Sequence, residues 1–402
     1  MTLIDRQADL DRVLAALAPA TTIALDTEFL WERTYHPTLA LVQVAARDPG
    51  GEAQAFAVDP LRVDLTPLTR LLAEPGRLKV VHAGRIDLEL FHARLGAPMG
   101  PVFDTQRAAA LAGHGHQVGY ANLVEALTGR RLKKTEQWSD WTRRPLRPEQ
   151  VSYALDDVVP LLVVHDRLLE RLREAGRLAW AEEEMAPLTD PASYAPVPDE
   201  ELWRRVKNRR GLDRRALGVL RALAVWRERT SRERDLRPGF VVKDPVLVEL
   251  ARRAPTSRGQ LEHVRGLHPG ELKKSAEGLL DAIRAALALP DDALPPADRR
   301  PAGPDPGPAV ELMRAYVGAR AAEAGVAPET LATTRDLERL ARAHLRGEAP
   351  EVIDDGDDDE GDGHDVLRGW RGALVGRDLL RLLEGKVSLR IDPARGSLRV
   401  DG

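Results

Sequence analysis

Apolar positions in the first hundred residues come in short runs. Thr22–Asp26 (TIALD), Leu39–Ala46 (LALVQVAA), Ala53–Val58 (AQAFAV) and Leu78–His82 (LKVVH) read as strands, and Val102–Phe103 as the end of a fifth. Between them, residues 7–18, 66–73 and 85–95 show the three-and-four spacing of amphipathic helices. Strands alternating with helices predict an α/β sheet domain. The DPGG turn at 48–51 separates the second and third runs closely enough for a hairpin, so the pattern predicts a mixed sheet of five strands. From residue 105 onward the signal is nearly all helical, as in Val158, Leu161, Leu162, His165, Leu168 and Leu169.

Two stretches break the helical pattern. Residues 187–200 (PLTDPASYAPVPDE) and 290–309 (PDDALPPADRRPAGPDPGPA) are rich in Pro and lack periodicity. The predicted division is a first domain at 1–190, a linker at 191–205, a helical domain at 206–290, a linker at 291–309 and a second helical domain at 310–402. The two helical parts read as a diverged repeat. Arg221-Ala222 answers Arg314-Ala315, Arg237-Pro238 answers Ala327-Pro328, LAR at 250–252 answers LAR at 340–342, and VRGLH at 264–268 answers LRGWR at 367–371.

Composition then narrows the chemistry. There are no cysteines among the 402 residues, which excludes disulfides, thiolate catalysis and cysteine-ligated metals. No apolar run is long enough to span a bilayer, and Met1–Leu14 carries no apolar signal core, so the expectation is a cytoplasmic protein with no membrane partner. The net charge of −4 argues against a nucleic-acid partner, but the charge is segregated. Residues 351–365 hold nine carboxylates and no Lys or Arg; without them the balance is +5. Basic residues cluster in RRLKK (130–134), RRPLR (143–147) and RRVKNRRGLDRR (204–215), and local basic surface is what attracts a polyphosphate. The acidic run departs from an EF-hand loop, with Glu360 where the turn glycine belongs, and reads as a solvated insert in the second helical domain.

Candidate chemistry lies in three places. Asp26 and Glu28 stand two apart on the first strand and so share a face. Asp87 falls in the first turn of the helix after the fourth strand. Tyr153 and Asp157 are four apart on a later helix and share its face, whereas Asp156 is turned about 100° away. Each feature alone is better explained as a capping, surface or other structural group. Together, in this order, they resemble the DEDD exonuclease superfamily in its tyrosine-bearing branch, and within it the ribonuclease D family. The segments DTEF (26–29), TYHPTLALVQVA (34–45), KVVHAGRIDLELF (79–91), VFDTQ (102–106) and SDWTRRPLRPEQVSYALDDV (139–158) carry the resemblance, and residues 206–290 and 310–402 look like HRDC modules, the second more divergent.

The resemblance implies a ribonuclease H-like α/β exonuclease domain followed by two all-α HRDC-type domains. It implies a 3′→5′ exoribonuclease that holds two divalent ions, Mg²⁺ or Mn²⁺, on Asp26, Glu28, Asp87 and Asp157, with Tyr153 positioning the attacking water. Substrate contacts are expected from Phe29, His82, Arg143 and Arg144. RNA with single-stranded 3′ tails, such as a tRNA precursor, is the implied partner, and a monomer the expected state. Two other readings stay open here: a DNA 3′→5′ exonuclease of the same superfamily, and a non-catalytic RNA-binding scaffold. Trp138 and Trp141 sit among basic residues, where an indole either stacks on a base or anchors the segment; anchoring is favoured for Trp141. His114 and His116 form an HxH with no third ligand nearby and read as loop.

Overall fold

Alternation of apolar runs and turn residues produces the expected mixed sheet. The computed structural model describes residues 3–133, 136, 138–296, 304–348, 365–394 and 398–401. Strands β1 (Leu3–Ile4), β2 (Thr22–Leu30), β3 (Thr38–Arg47), β4 (Ala53–Val58), β5 (Leu78–Val81) and β6 (Val102–Asp104) form one sheet in the order β1-β4-β3-β2-β5-β6. β2–β3 and β3–β4 are antiparallel, whereas β1–β4, β2–β5 and β5–β6 are parallel. The sheet thus has six strands rather than five. The extra one is a two-residue edge strand, too short to show a period of two. β3 is buried from Leu39 to Ala46 without interruption, so both faces of the sheet are covered there.

The helices of this domain are α1 (Gln7–Leu17), α2 (Thr66–Leu72), α3 (Arg85–Leu95), α4 (Thr105–Leu111), α5 (Tyr120–Thr128), α6 (Pro148–Glu174) and α7 (Leu178–Met185). Pro148 starts α6, where its missing N–H is no loss, and Gln150 Oε1 accepts the Arg147 N–H at 3.0 Å to cap it. The stripe Val158, Leu161, Leu162, His165 and Leu168 is buried, and α6 lies along β2, β3 and β4.

The repeat in the sequence is a repeat of elements. α8 (Arg214–Arg234), α9 (Pro238–Val241) and α10 (Asp244–Arg253) are matched by α13 (Gly307–Ala324), α14 (Pro328–Leu331) and α15 (Thr334–Leu345), after α11 (Arg258–Glu262) and α12 (Pro269–Leu287) complete the first copy. The paired glycines Gly266 and Gly369 are both left-handed, at φ 88° and 53°. The second copy ends in α16 (Gly369–Arg371), a π-helical turn at Gly372–Gly376 and α17 (Arg377–Leu383).

Three expectations are corrected. The second helical domain is not all-α: β7 (Ser388–Ile391) and β8 (Leu398–Asp401) pair as an antiparallel hairpin, whose first strand buries no face and so leaves no apolar alternation to read. Leu202 and Trp203, assigned to a linker, are buried in the core of the first helical module. That module has its own core, whereas Val310, Met313, Tyr316 and Trp370 of the C-terminal module share one core with the sheet domain. The acidic run at 351–365 lies, but for Asp365, outside the described residues. Among the described residues no helix is long and apolar enough to cross a membrane.

Candidate active site

The site begins where β5 stops. β2 pairs with β5 only from Thr22 to Ala24, and then continues past Asp26 and Glu28 with β3 as its partner. The edge beside the two acids is therefore free of a strand. β5 ends at Val81, and the chain turns through His82, Ala83 and Gly84 into α3. Asp104 builds this turn: its carboxylate accepts the Ala83 and Gly84 N–H groups at 3.0 Å each, and that of Gln106 at 2.8 Å. Gly84 is required there, because a Cβ would meet the Val81 side chain at 2.5 Å. The turn delivers Asp87, buried in the first turn of α3, to β2, where the Thr27 hydroxyl donates to its carboxylate. A register shift between Glu28 and Phe29 marks the end of the acid-bearing stretch.

α6 supplies Tyr153 and Asp157 to the same place. Asp156 points elsewhere, onto Arg130 at 2.6 Å, as its position on the helix requires. Electrostatics show the convergence. The Asp26 carboxyl is held well above its usual range by burial, then by Asp87, Asp157 and Glu28. Glu28 is pushed up to about 8 by burial and by Asp157 and Asp87. Asp157 rises to about 7 through burial and Asp156, with Tyr153 opposing. Burial raises Asp87 to about 6, although the Thr27 bond opposes it. Burial, Asp157, Glu28 and Asp26 together keep the Tyr153 phenol protonated. Among the described residues none of the four acids has an ion-pair partner, and no three side chains of metal-ligating type already close on one point. Oxygen ligands that are partly or wholly shielded from water, repel one another and lack a counter-charge fit hard divalent cations.

The other candidates fare differently. Arg144 is turned inward. Its guanidinium is buried against Asp59 (Nη2 to Oδ1 2.6 Å), the Ala40 carbonyl at 2.7 Å and the Trp141 carbonyl at 2.6 Å, all its donors serving to pin the segment to the sheet. Arg143 is exposed. Phe29 is half-buried against the main core. His82 bonds the Thr105 hydroxyl through Nδ1 at 2.9 Å, and burial lowers its pKa. Trp141 is buried with its ring 6.1 Å from that of Tyr153, which is the anchoring role. His114 turns to Arg171. Part of the basic run 204–215 is also structural, with Arg214 and Arg215 on the carbonyls of Asp291 (2.7 Å) and Leu289 (2.5 Å).

One neighbour had no sequence signal. Tyr120, at the start of α5, has a buried hydroxyl with no hydrogen-bond partner, and its ring lies 5.2 Å from His82. Burial, then Asp157 and Asp26, raise its pKa, so the phenol belongs to the wall of the acidic site. Only the packing of α5 on α6 brings it there, and no local spacing announces it.

Known proteins resemble this chain. A family model described as 3′–5′ exonuclease matches residues 1–173, and the HRDC domain model matches residues 216–283. Ribonuclease D of Gluconacetobacter diazotrophicus is 41% identical over 98% of this chain and 95% of its own length. The chain belongs to the ribonuclease D family. Ribonuclease D of Granulibacter bethesdensis is 40% identical over 97% of this chain and 94% of its own. The crystal structure of Escherichia coli RNase D, described as an exoribonuclease involved in structured RNA processing, superposes with a TM-score of 0.83 at 32% identity, covering 96% of this chain and 98% of that one. This family member is accordingly a hydrolase, a 3′→5′ exoribonuclease, with RNA as its partner.

Proposed function

We propose that the enzyme trims RNA by two-metal-ion hydrolysis, releasing 5′-nucleoside monophosphates, with Asp26, Glu28, Asp87 and Asp157 as the cation ligands and Tyr153 as the residue that positions water. One observation carries this reading: carboxylates from β2, α3 and α6 lie near enough that Asp87 and Asp157 oppose the ionisation of both Asp26 and Glu28. Mg²⁺ or Mn²⁺, when bound, supplies the positive charge that an anionic phosphodiester needs and acidifies water. Asp26 and Glu28 present oxygens from one strand face, and Asp87 and Asp157 from the two flanking helices. Tyr153 is turned to Asp157 and stays protonated at neutral pH, so it acts as a hydrogen-bond donor that orients water rather than as a base.

Substrate chemistry follows from the surroundings. In this reading Arg143, which is exposed, would meet a phosphate, Phe29 would border the terminal nucleotide, and His82, whose pKa burial lowers, would border the site beside Tyr120. The proposed substrates are RNAs with single-stranded 3′ tails, tRNA precursors among them, met by a monomer in the cytoplasm. The test is a tRNA carrying a 3′ extension, incubated with and without Mn²⁺ and resolved by length. Asp26→Asn is expected to abolish nucleotide release in either metal while RNA still binds. A variant that shortens the tail at the parental rate would remove the cation-site reading.

A further inference from the structure

Trp138 is 91% exposed, the most exposed of the large apolar side chains. Tryptophan is on average a mostly buried residue, and this one makes no hydrogen bond or ring contact among the described residues. Described residues on either side of it are anchored. On one side Glu136, itself buried, accepts from the Ser139 hydroxyl and from Arg147, and its carbonyl accepts the Ser139 N–H at 3.0 Å. On the other side Asp140 accepts the Thr142 N–H at 3.0 Å, and Trp141 is buried. The indole is therefore displayed at the surface between the anchored residues Glu136 and Trp141.

Residues before and after Trp138 touch the helix that carries Tyr153 and Asp157. Before it, Arg130 holds Asp156 at 2.6 Å, one residue from Asp157. Beyond it, Trp141 packs 6.1 Å from the Tyr153 ring, and Arg147 caps α6. The segment 130–147 thus begins and ends on the part of α6 that carries Tyr153 and Asp157. Lys133 and Arg143 are its exposed cations outside an ion pair among the described residues, while Arg131 pairs with Glu125, Glu136 is buried in its pair with Arg147, and Asp140 is turned to Thr142.

We propose that Trp138 is a stacking platform for an unpaired base of the RNA tail, upstream of the nucleotide being removed. The proposal rests on the exoribonuclease reading and adds a specificity-determining contact to it. An exposed aromatic face near cations suits single-stranded nucleic acid, because every base offers a π-face and the phosphates beside it need positive charge. The same surroundings disfavour a purely apolar protein partner.

The experiment is steady-state hydrolysis of a 12-nucleotide oligoadenylate by the full-length parent, Trp138→Ala and Trp138→Phe, with equilibrium RNA binding followed by intrinsic tryptophan fluorescence. Trp138→Ala is expected to raise KM about tenfold, in line with the loss of one base–aromatic stack, with kcat changed by less than about twofold. Trp138→Phe should recover most of that loss, and the fluorescence quench on RNA binding should shrink in Trp138→Ala. An alanine variant with parental KM and parental quench overturns the proposal, leaving the indole to some other partner. So does a phenylalanine variant as poor as alanine, which marks a structural defect. Failure of the exoribonuclease reading itself would show separately, as a parent that releases no nucleotide.

Discussion

Glu28 illustrates how a residue is made functional by being made uncomfortable. Burial, Asp157 and Asp87 raise its carboxyl from the ordinary 4.5 to about 8. Because the folded value lies above the unfolded one, the associated stability is complete below about pH 4.5 and is lost as pH rises through about 8. Glu28→Gln removes that penalty. In chelator at pH 8.5 it is expected to melt higher than the parent, by roughly 1–3 kcal/mol, with a much smaller gain at pH 5, while nucleotide release collapses. Thermal melts at the two pH values decide it, and an equal response at both would contradict the repulsion. The acids were legible because i, i+2 on a strand and i, i+4 on a helix fix a shared face. Arg144 misled for the opposite reason. Inside a basic run it looks like a phosphate grip, but its partner Asp59 is 85 residues away and no local pattern points to it.

Between β2 and β3 the chain forms a strap at residues 31–37, directly after the acid-bearing stretch, and the first helical module grips it. Asp235, at the end of α8, accepts the Tyr35 and His36 N–H groups at 3.0 and 3.2 Å. Arg237 donates its own N–H to the Arg33 carbonyl at 2.8 Å and a guanidinium N–H to the Trp31 carbonyl at 3.1 Å, while Tyr35 bonds Glu228 and Arg232. A helical module read in the sequence only as an RNA-binding annex therefore also fixes how β2 leaves the site. Asp235 is left-handed at φ 47°, so Asp235→Gly keeps the backbone and deletes the acceptor. We expect a three- to tenfold lower kcat and faster hydrogen exchange across 31–37, with about 1 kcal/mol of stability lost. Parental kcat together with parental exchange would show that the strap holds its shape unaided. The other elements were mostly readable, since strands and helices of several turns repeat their period; the two-residue β1 and the exposed hairpin β7–β8 repeat nothing.

On the scale of the whole molecule, the C-terminal module is joined to the sheet domain through α7. Trp180 and Trp370 stack at 4.5 Å, Glu183 accepts the Trp370 N–H at 3.0 Å, and Glu184 accepts from the Trp370 indole at 3.0 Å and from Arg371. Gly369 makes the approach possible. A Cβ there would stand 1.8 Å from the Glu183 carboxylate, on a backbone already at φ 53°. Gly369→Ala puts a side chain at a left-handed φ and pushes aside the Glu183 carboxylate that holds the Trp370 N–H, and is expected to lower stability by about 1–2 kcal/mol. Because the two bodies share a core, calorimetry should show their common transition shifting down, whereas that of the first helical module stays in place. An unmoved transition would mean that the glycine is replaceable and the docking is softer than its contacts indicate.

By itself the sequence determined what depends on neighbours along the chain: the order of strands and helices, the repeat in the helical half, and which side chains share a face with Asp26, Glu28, Tyr153 and Asp157. Resemblance added the activity. The tertiary structure alone decided that Asp104 would brace the turn delivering Asp87, that Tyr120 would close the acidic wall, that Arg144 would be spent on Asp59, and that one helical module would merge with the catalytic core while the other kept its own. Periodicity is a property of a few consecutive residues. Burial and Coulomb interaction depend on distance in space, and those distances exist only once the chain has closed on itself.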